Sequence, residues 1–236
     1  FFSQKSAIVL LSNDGGGKFE SRIVHEGGPL YFMEIADFDS DGELDMATAN
    51  NDEILVFRNE GLVDFGEPTS LTPPFETRIV RGGDVNGDGT PDLISVSRDT
   101  PQAVVMINEG KDGFSEPVLF DLPQVASAAL PGDFDGDGVL ELVTLHRTAP
   151  NFDVAFYSND GAGHFSLSTT LEIDNLRLTS LRAADLDLDG DLDLVTTAVR
   201  KLTILENDGQ GVFSIARSIS DTIRKDLQIA DFDGNG

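Results

Sequence analysis

Residues 181–218 read LRAADLDLDGDLDLVTTAVRKLTILENDGQGVFSIARS. Four short apolar runs stand out, Leu181 to Leu186, Leu192 to Ala198, Leu202 to Glu206 and Phe213 to Ser218. They are rich in Val, Ile, Leu and Phe and are bounded by Gly, Asn and Asp, which is strand punctuation rather than a helical stripe with caps. An acidic loop, Asp185-Leu-Asp187-Leu-Asp189-Gly190-Asp191-Leu-Asp193, separates the first two runs. Asn207-Asp208-Gly209 separates the last two and suits a tight hairpin, since Asn and Gly tolerate the positive backbone angles such turns demand.

Both landmarks recur along the whole chain. The Asn-acid-Gly turn begins at Asn13, Asn59, Asn108, Asn159 and Asn207, and each Asn has a Phe six positions later, at Phe19, Phe65, Phe114, Phe165 and Phe213. Acidic loops begin at Asp37, Asp84, Asp133, Asp185 and Asp231, spaced 47, 49, 52 and 46 residues apart. Four short antiparallel strands per unit of this length predict an all-β fold, a β-propeller of four-stranded blades with about five repeats visible. No segment predicts a long helix. The residue before each loop is small (Ala36, Gly83, Gly132, Ala184, Ala230), as strands converging on a propeller axis require. The chain has no Trp, which argues against WD-type blades.

The loops have the make-up of calcium sites. Side-chain oxygens fall at positions 1, 3, 5 and 9, Gly at position 6 allows the sharp turn, and position 7 can offer its backbone carbonyl. The candidate ligands are Asp37, Asp39, Asp41, Glu43 and Asp45 in the first loop and Asp84, Asn86, Asp88, Thr90 and Asp92 in the second. The third loop offers Asp133, Asp135, Asp137, Val139 and Glu141, the fourth Asp185, Asp187, Asp189, Asp191 and Asp193, and the fifth Asp231, Asp233 and Asn235. Without a cation, carboxylates this crowded repel one another and resist ionisation. Mg²⁺ prefers a stricter octahedron with retained waters, and transition metals prefer imidazole or sulfur, which the loops lack. An EF-hand starts similarly but ends on a Glu at position 12, where this chain has Thr48, Ser95, Thr144 and Thr196, so that reading is rejected.

The strand, Asp-x-Asp-x-Asp-Gly-x-x-Asp loop, strand and Asn-Asp-Gly turn resemble the FG-GAP/VCBS repeats of integrin α-subunit propellers and of many bacterial secreted proteins. The resemblance runs over essentially all of residues 1–236, taken as a single propeller region. It implies Ca²⁺, about one ion per repeat, held by the loop residues between the first two strands of each blade. Asn86, Glu141 and Asn235 depart from the family pattern and imply weaker sites. The resemblance also implies seven blades more often than five, so the five periods read as an excerpt of a seven-bladed propeller, with a five-bladed ring as the alternative.

Composition narrows function. With 42 acidic and 16 basic residues the net charge is -26, which repels nucleic acid and anionic lipid. The absence of Cys excludes disulfides, zinc-thiolate sites and thiol nucleophiles. No apolar run is long enough to span a bilayer, so direct membrane insertion is not expected, and no signal peptide is visible at Phe1. Millimolar calcium outside cells would saturate even weak loops, which points to an extracellular, cell-surface or periplasmic protein. His25, His146 and His164 fall at non-equivalent repeat positions and no Gly-x-Ser-x-Gly motif occurs, so no enzyme activity is expected. A protein-interaction or adhesion scaffold is the first expectation for function. A carbohydrate-binding propeller, or a non-catalytic module of a polysaccharide-active enzyme, is the alternative, with a protein or surface glycan as partner. Three positions before each loop stand Glu34, Arg81, Leu130, Arg182 and Gln228, which would line the propeller axis as a polar ligand site or as a solvated wall.

Overall fold

The computed structural model describes residues 6–147, 152–173, 178–198, 201–220 and 227–230. β1 (Ser6–Asn13) and β2 (Phe19–Gly27) form a two-stranded sheet. The second sheet comprises β3 (Met33–Ala36), β4 (Asp45–Asn50), β5 (Glu53–Phe57) and β6 (Thr69–Leu71). β7 (Thr77–Gly83), β8 (Asp92–Ser97), β9 (Gln102–Met106) and β10 (Val118–Asp121) make the third. The fourth holds β11 (Ala126–Gly132), β12 (Glu141–Arg147), β13 (Phe152–Asn159) and β14 (Phe165–Ile173). β15 (Leu178–Ala184), β16 (Asp193–Ala198), β17 (Lys201–Asn207) and β18 (Phe213–Ser220) complete the fifth. Every sheet is an antiparallel meander in chain order, and the fold is an all-β propeller of four-stranded blades. Among the described residues the only helical element is a 3-10 turn at Gly110–Asp112.

The core is a series of interfaces between sheets. Phe38, Ile54 and Val56 of the second blade meet Val80, Leu93 and Met106 of the third. Ile94, Val96 and Val105 then meet Ala129, Leu142 and Tyr157 of the fourth, and Val143, Leu145 and Phe156 meet Leu181, Leu194 and Leu205 of the fifth. Each such side chain taken from water stabilises by about 1.5–3 kcal/mol. Strands β4, β8 and β16 are buried almost throughout because a neighbouring blade covers each face. That accounts for the absence of strict polar–apolar alternation along them. The outer strands β2 and β18 are largely exposed.

The first strands of the blades, β3, β7, β11 and β15, contact one another in sequence and form the hub. Their ends must be small, as the sequence predicts. A Cβ added to Gly132 would lie 2.7 Å from Phe134 Cζ, and one on Gly83 would lie 2.8 Å from Leu140 Cδ1.

The Asn-acid-Gly segment forms the expected tight hairpin with a five-residue loop: Asn13 pairs with Phe19 and Asn207 with Phe213, and an Asx turn closes the loop. One expectation needs correcting: the first strand of the fifth blade runs Leu178–Ala184, earlier than the apolar run Leu181 to Leu186, because residues 185 and 186 already belong to the loop. The first sheet has two strands among the described residues.

Candidate metal centres

Each of the four described acidic loops connects the hub strand of a blade to the second strand, and its geometry follows from short carboxylates capping nearby amides. The position-1 Asp accepts the position-6 Gly amide: Gly42 to Asp37 (2.9 Å), Gly89 to Asp84 (2.8 Å), Gly138 to Asp133 (3.1 Å) and Gly190 to Asp185 (3.1 Å). The position-5 Asp accepts the amide two residues on, from Glu43, Thr90, Val139 and Asp191. Gly89 holds φ +91°, a backbone state that side chains with a Cβ rarely adopt, which explains Gly at position 6.

The position-9 residue is a backbone clamp. Asp45 is fully buried, and it accepts Phe38 N–H at Oδ2 (2.8 Å) and Asn59 N–H at Oδ1 (2.7 Å). Asp92 repeats this with Val85 (2.9 Å) and Asn108 (2.7 Å), and Asp193 with Leu186 (3.1 Å) and Asn207 (3.0 Å). Glu141 accepts the Phe134 amide (2.8 Å). This carboxylate therefore ties the loop to the Asn-acid-Gly turn of its own blade, a link that neither motif reveals alone. The sequence signal for it is weak, because the carboxylate precedes the turn Asn by 14 residues in the second and fifth blades but by 16 in the third.

Carboxylate oxygens converge in three loops. Asp37, Asp39 and Asp41 form one group, Asp133, Asp135 and Glu141 a second, and Asp185, Asp187 and Asp193 a third, with oxygens inside each group within 4.8 Å of one another. Glu43 and Asp45 stand outside the first group, Asp137 and Val139 outside the second, and Asp189 and Asp191 outside the third. The second loop brings no such trio together among the described residues. There Asn86 Nδ2 donates to Asp88 Oδ2 (2.9 Å) and the Thr90 hydroxyl donates to Asp88 Oδ1, and these bonds hold the Asp88 carboxyl below its ordinary range. Asp231, Asp233 and Asn235 lie outside the described residues.

Burial raises the Asp45 and Glu141 carboxyls and pushes Asp92 up to about 6, with the charges of Asp88 and Asp84 adding to the effect on Asp92. Partial desolvation and then the Asp189 charge raise Asp187 and Asp191. These carboxylates are crowded in the way that a divalent cation relieves.

The first loop contains a direct fit test for such a cation. Asp39 Oδ1 is buried and has no hydrogen-bond partner, although an unpaired buried carboxylate oxygen is costly. It belongs to the Asp37–Asp39–Asp41 group, whose all-oxygen donors match calcium. The loops fit the ion on donor chemistry.

The position-12 residues sit in strands. Thr48 donates to Phe32 O (3.0 Å) and Ser95 to Ile79 O (3.0 Å), so they are sheet residues and not ligands. The histidines are occupied elsewhere: His25 rests edge-on against Phe57, His146 is buried between Thr144 and Gln124, and His164 bonds Asp160.

Residues 37–95 and 84–144 match the family model described as FG-GAP-like repeat. No curated protein matches the chain. Among solved structures the chain is similar to a periplasmic gluconolactonase of Pseudomonas aeruginosa, PpgL, at 15% identity and TM-score 0.68, covering 94% of this chain and 66% of that one. It is similar to a Lactobacillus plantarum protein at 14% identity and TM-score 0.63, covering 92% and 65%. A third similarity, to the V. cholerae biofilm matrix protein Bap1, has 16% identity and TM-score 0.51, covering 93% and 39%. The chain thus spans less than two thirds of the length of these three, and at such identities the likeness concerns the fold.

Proposed function

From a propeller that carries FG-GAP-like repeats, we propose a calcium-stabilised, non-catalytic binding scaffold that works outside the cytoplasm. The observation that carries this reading is the buried, unpartnered Asp39 Oδ1 inside a trio of carboxylates. Asp37, Asp39 and Asp41 would hold one ion, Asp133, Asp135 and Glu141 a second, and Asp185, Asp187 and Asp193 a third, with the second loop a weaker site. Bound calcium supplies neutralising charge and a rigid link between loop oxygens. The loops lead directly into the buried strands β4, β8, β12 and β16, so metal affinity becomes folding stability. Extracellular calcium concentrations suit loops of this kind.

A rigid ring that displays loops is suited to recognition. A protein surface is the favoured partner, because aromatic platforms for sugar rings do not recur. Exposed Tyr31 and Phe32 have Arg78 and Ile79, or Ser127 and Ala128, at the equivalent places in the next two blades. The immobilised chain can be screened against cell-surface protein extracts and a glycan array, in millimolar calcium and again in chelator. Saturable protein binding that chelation abolishes is the expected result. Binding to glycans alone would transfer the role to carbohydrate recognition, and silence in both screens would overturn the scaffold reading.

A further inference from the structure

In three successive blades the residue before the turn Asn faces the turn of the next blade, and it differs each time. In the second blade it is Arg58, whose Nη2 donates to Gly110 O of the third (3.2 Å). In the third it is Ile107, packed so closely that a Cβ on Gly163 of the fourth blade would lie 2.9 Å from Ile107 Cδ1. In the fourth it is Ser158, and Gly211 of the fifth blade takes the place of Gly163. Here the short side chain leaves a pocket of about 300 Å³ between the two blades, bordered by both Ser158 and Gly211.

The pocket is walled by aromatic rings. Phe134, Val143 and Phe156 of the fourth blade are buried there and pack with Phe213 of the fifth. Phe156 and Phe213 are stacked, 4.8 Å between centroids and 16° between planes, and Phe134 meets Phe213 edge-on at 5.6 Å. Exposed Ser158, Ser168, Thr169 and Gln210 supply oxygens where the pocket opens to solvent. Asp135 and Glu141 border it, but both belong to the oxygen group of the third acidic loop. No Lys or Arg lines it among the described residues.

We propose that this pocket binds a small uncharged aromatic molecule of about the size of indole. Charge argues for a neutral body. An anion would meet the third loop with no lining cation to receive it, and a cation would compete for carboxylates that the loop already gathers. The rings argue for a planar one, since they offer faces and edges for offset-stacked and edge-to-face contact. Volume argues for the size, because an apolar cavity of about 150 Å³ holds benzene and this one has about twice that room. A ring N–H or O–H at the mouth would find the Ser and Thr hydroxyls as acceptors. The site rests on Ser158 and the rings, independently of the scaffold reading.

The test is titration of the chain with indole in millimolar calcium, beside indole-3-acetate, N-acetyltryptophanamide and galactose. The chain has no Trp, so indole fluorescence reports the ligand without a protein Trp background. The expected result is saturable binding of one equivalent with blue-shifted emission, indole-3-acetate at least about tenfold weaker through charge repulsion, and no binding of galactose. Ser158→Ile restores the plug of the third blade and should weaken binding at least about tenfold by filling the pocket. Ser158→Ala leaves the room open and should bind as the parent does. Both variants are checked to unfold at the parental temperature, and Ser158→Val takes the place of the Ile variant if that one does not fold. No binding of indole up to about 5 mM, past the millimolar range, would overturn the proposal. A folded plugged variant that binds as tightly as the parent would also overturn it, as would indole-3-acetate binding as tightly as indole. Binding of galactose in place of indole would make the pocket a saccharide site, and binding of N-acetyltryptophanamide in place of indole would make it a peptide site; either overturns the proposal.

Discussion

The side-chain Nδ2 of Asn108 donates to the carbonyl oxygen of Phe38, 2.7 Å away and 70 residues earlier, in the acidic loop of the preceding blade. Asn159 makes the same bond to Val85 (2.7 Å) and Asn207 to Phe134 (2.7 Å). The position-2 residue of each of the first three loops thus gives its N–H to the position-9 carboxylate of its own blade and its carbonyl to the Asn of the next. Loop, turn and neighbouring blade form one chain of hydrogen bonds. The aromatic rings follow the same route, Phe38 against Phe114 (6.2 Å between centroids) and Phe134 against Phe213 (5.6 Å).

Removing such a link should cost far more than removing its solvent-exposed counterpart. Asn108→Ala deprives Phe38 O and Pro91 O of their shared donor inside the structure, a loss of about 2–4 kcal/mol. Asn13→Ala removes only an exposed bond to the Gly15 amide and should change stability by less than about 0.5 kcal/mol. Urea unfolding of both variants at fixed calcium checks the difference.

The hub tolerates no side chain before the third loop. Gly132→Ala drives a Cβ into the ring of Phe134, which is itself wedged between blades, and should destabilise by about 1–3 kcal/mol as over-packing does. A melting temperature equal to that of the parent would refute the steric argument.

Arg58 stands against the first acidic loop. Its Nη1 lies 3.7 Å from Asp39 Oδ2, beside the carboxylate trio, where a fixed positive charge competes with a cation. Arg58→Gln should tighten calcium binding at that loop up to about tenfold, in line with a pair energy of about 1–4 kcal/mol at this range. Calcium titration of the variant, compared with parent, gives the answer, and weaker binding would contradict it.

The acid side of the stability profile carries a histidine signature. His146 is buried with Nδ1 on Gln124 O (2.8 Å) and Nε2 on the Thr144 hydroxyl (2.6 Å), and burial lowers its pKa, with the Asp153 charge partly opposing. The folded state therefore takes up the proton less readily than the unfolded one, for which about 6.5 is usual. The stability it contributes is present above that value and is lost as pH falls toward the lowered folded pKa. Between pH 7.5 and 5 the parent should lose more stability than His146→Gln, measured by urea unfolding in chelator, and parallel profiles would exclude the effect.

The blades were legible because their signals are local. A run such as Leu192 to Ala198 needs only its own composition to be read as a buried strand, and Asp185 to Asp193 needs only spacing to be read as an oxygen-rich loop. What escaped the sequence depends on curvature between blades. Nothing in Asn207 announces a bond to Phe134 O, since the two meet only when adjacent blades are placed side by side. The backbone-clamp role of Asp45, Asp92 and Asp193 was hidden for a related reason, because a candidate ligand position and a backbone clamp call for the same short carboxylate. The axial positions were legible from the repeat, since Glu34, Arg81, Leu130 and Arg182 line one pocket at the hub, where Arg81 pairs with Glu34. The pocket between the fourth and fifth blades was half visible: Ser158 stands where earlier repeats have Arg58 and Ile107, but the cavity follows from how the fifth blade's turn meets β13.

Whether the acidic loops are calcium sites that hold the blades together is decided by thermal unfolding of the chain at pH 7 in millimolar calcium and in excess chelator, with calorimetric titration of calcium into the chelated protein. One site at a hundred times its dissociation constant adds about 2.7 kcal/mol, which for a chain of this size raises Tm by about 5–10 °C. The expected result is at least that rise, together with saturable heat of calcium binding that falls when Asp39→Ala removes one carboxylate of the first loop. Superimposable melting curves with no heat of binding would contradict it.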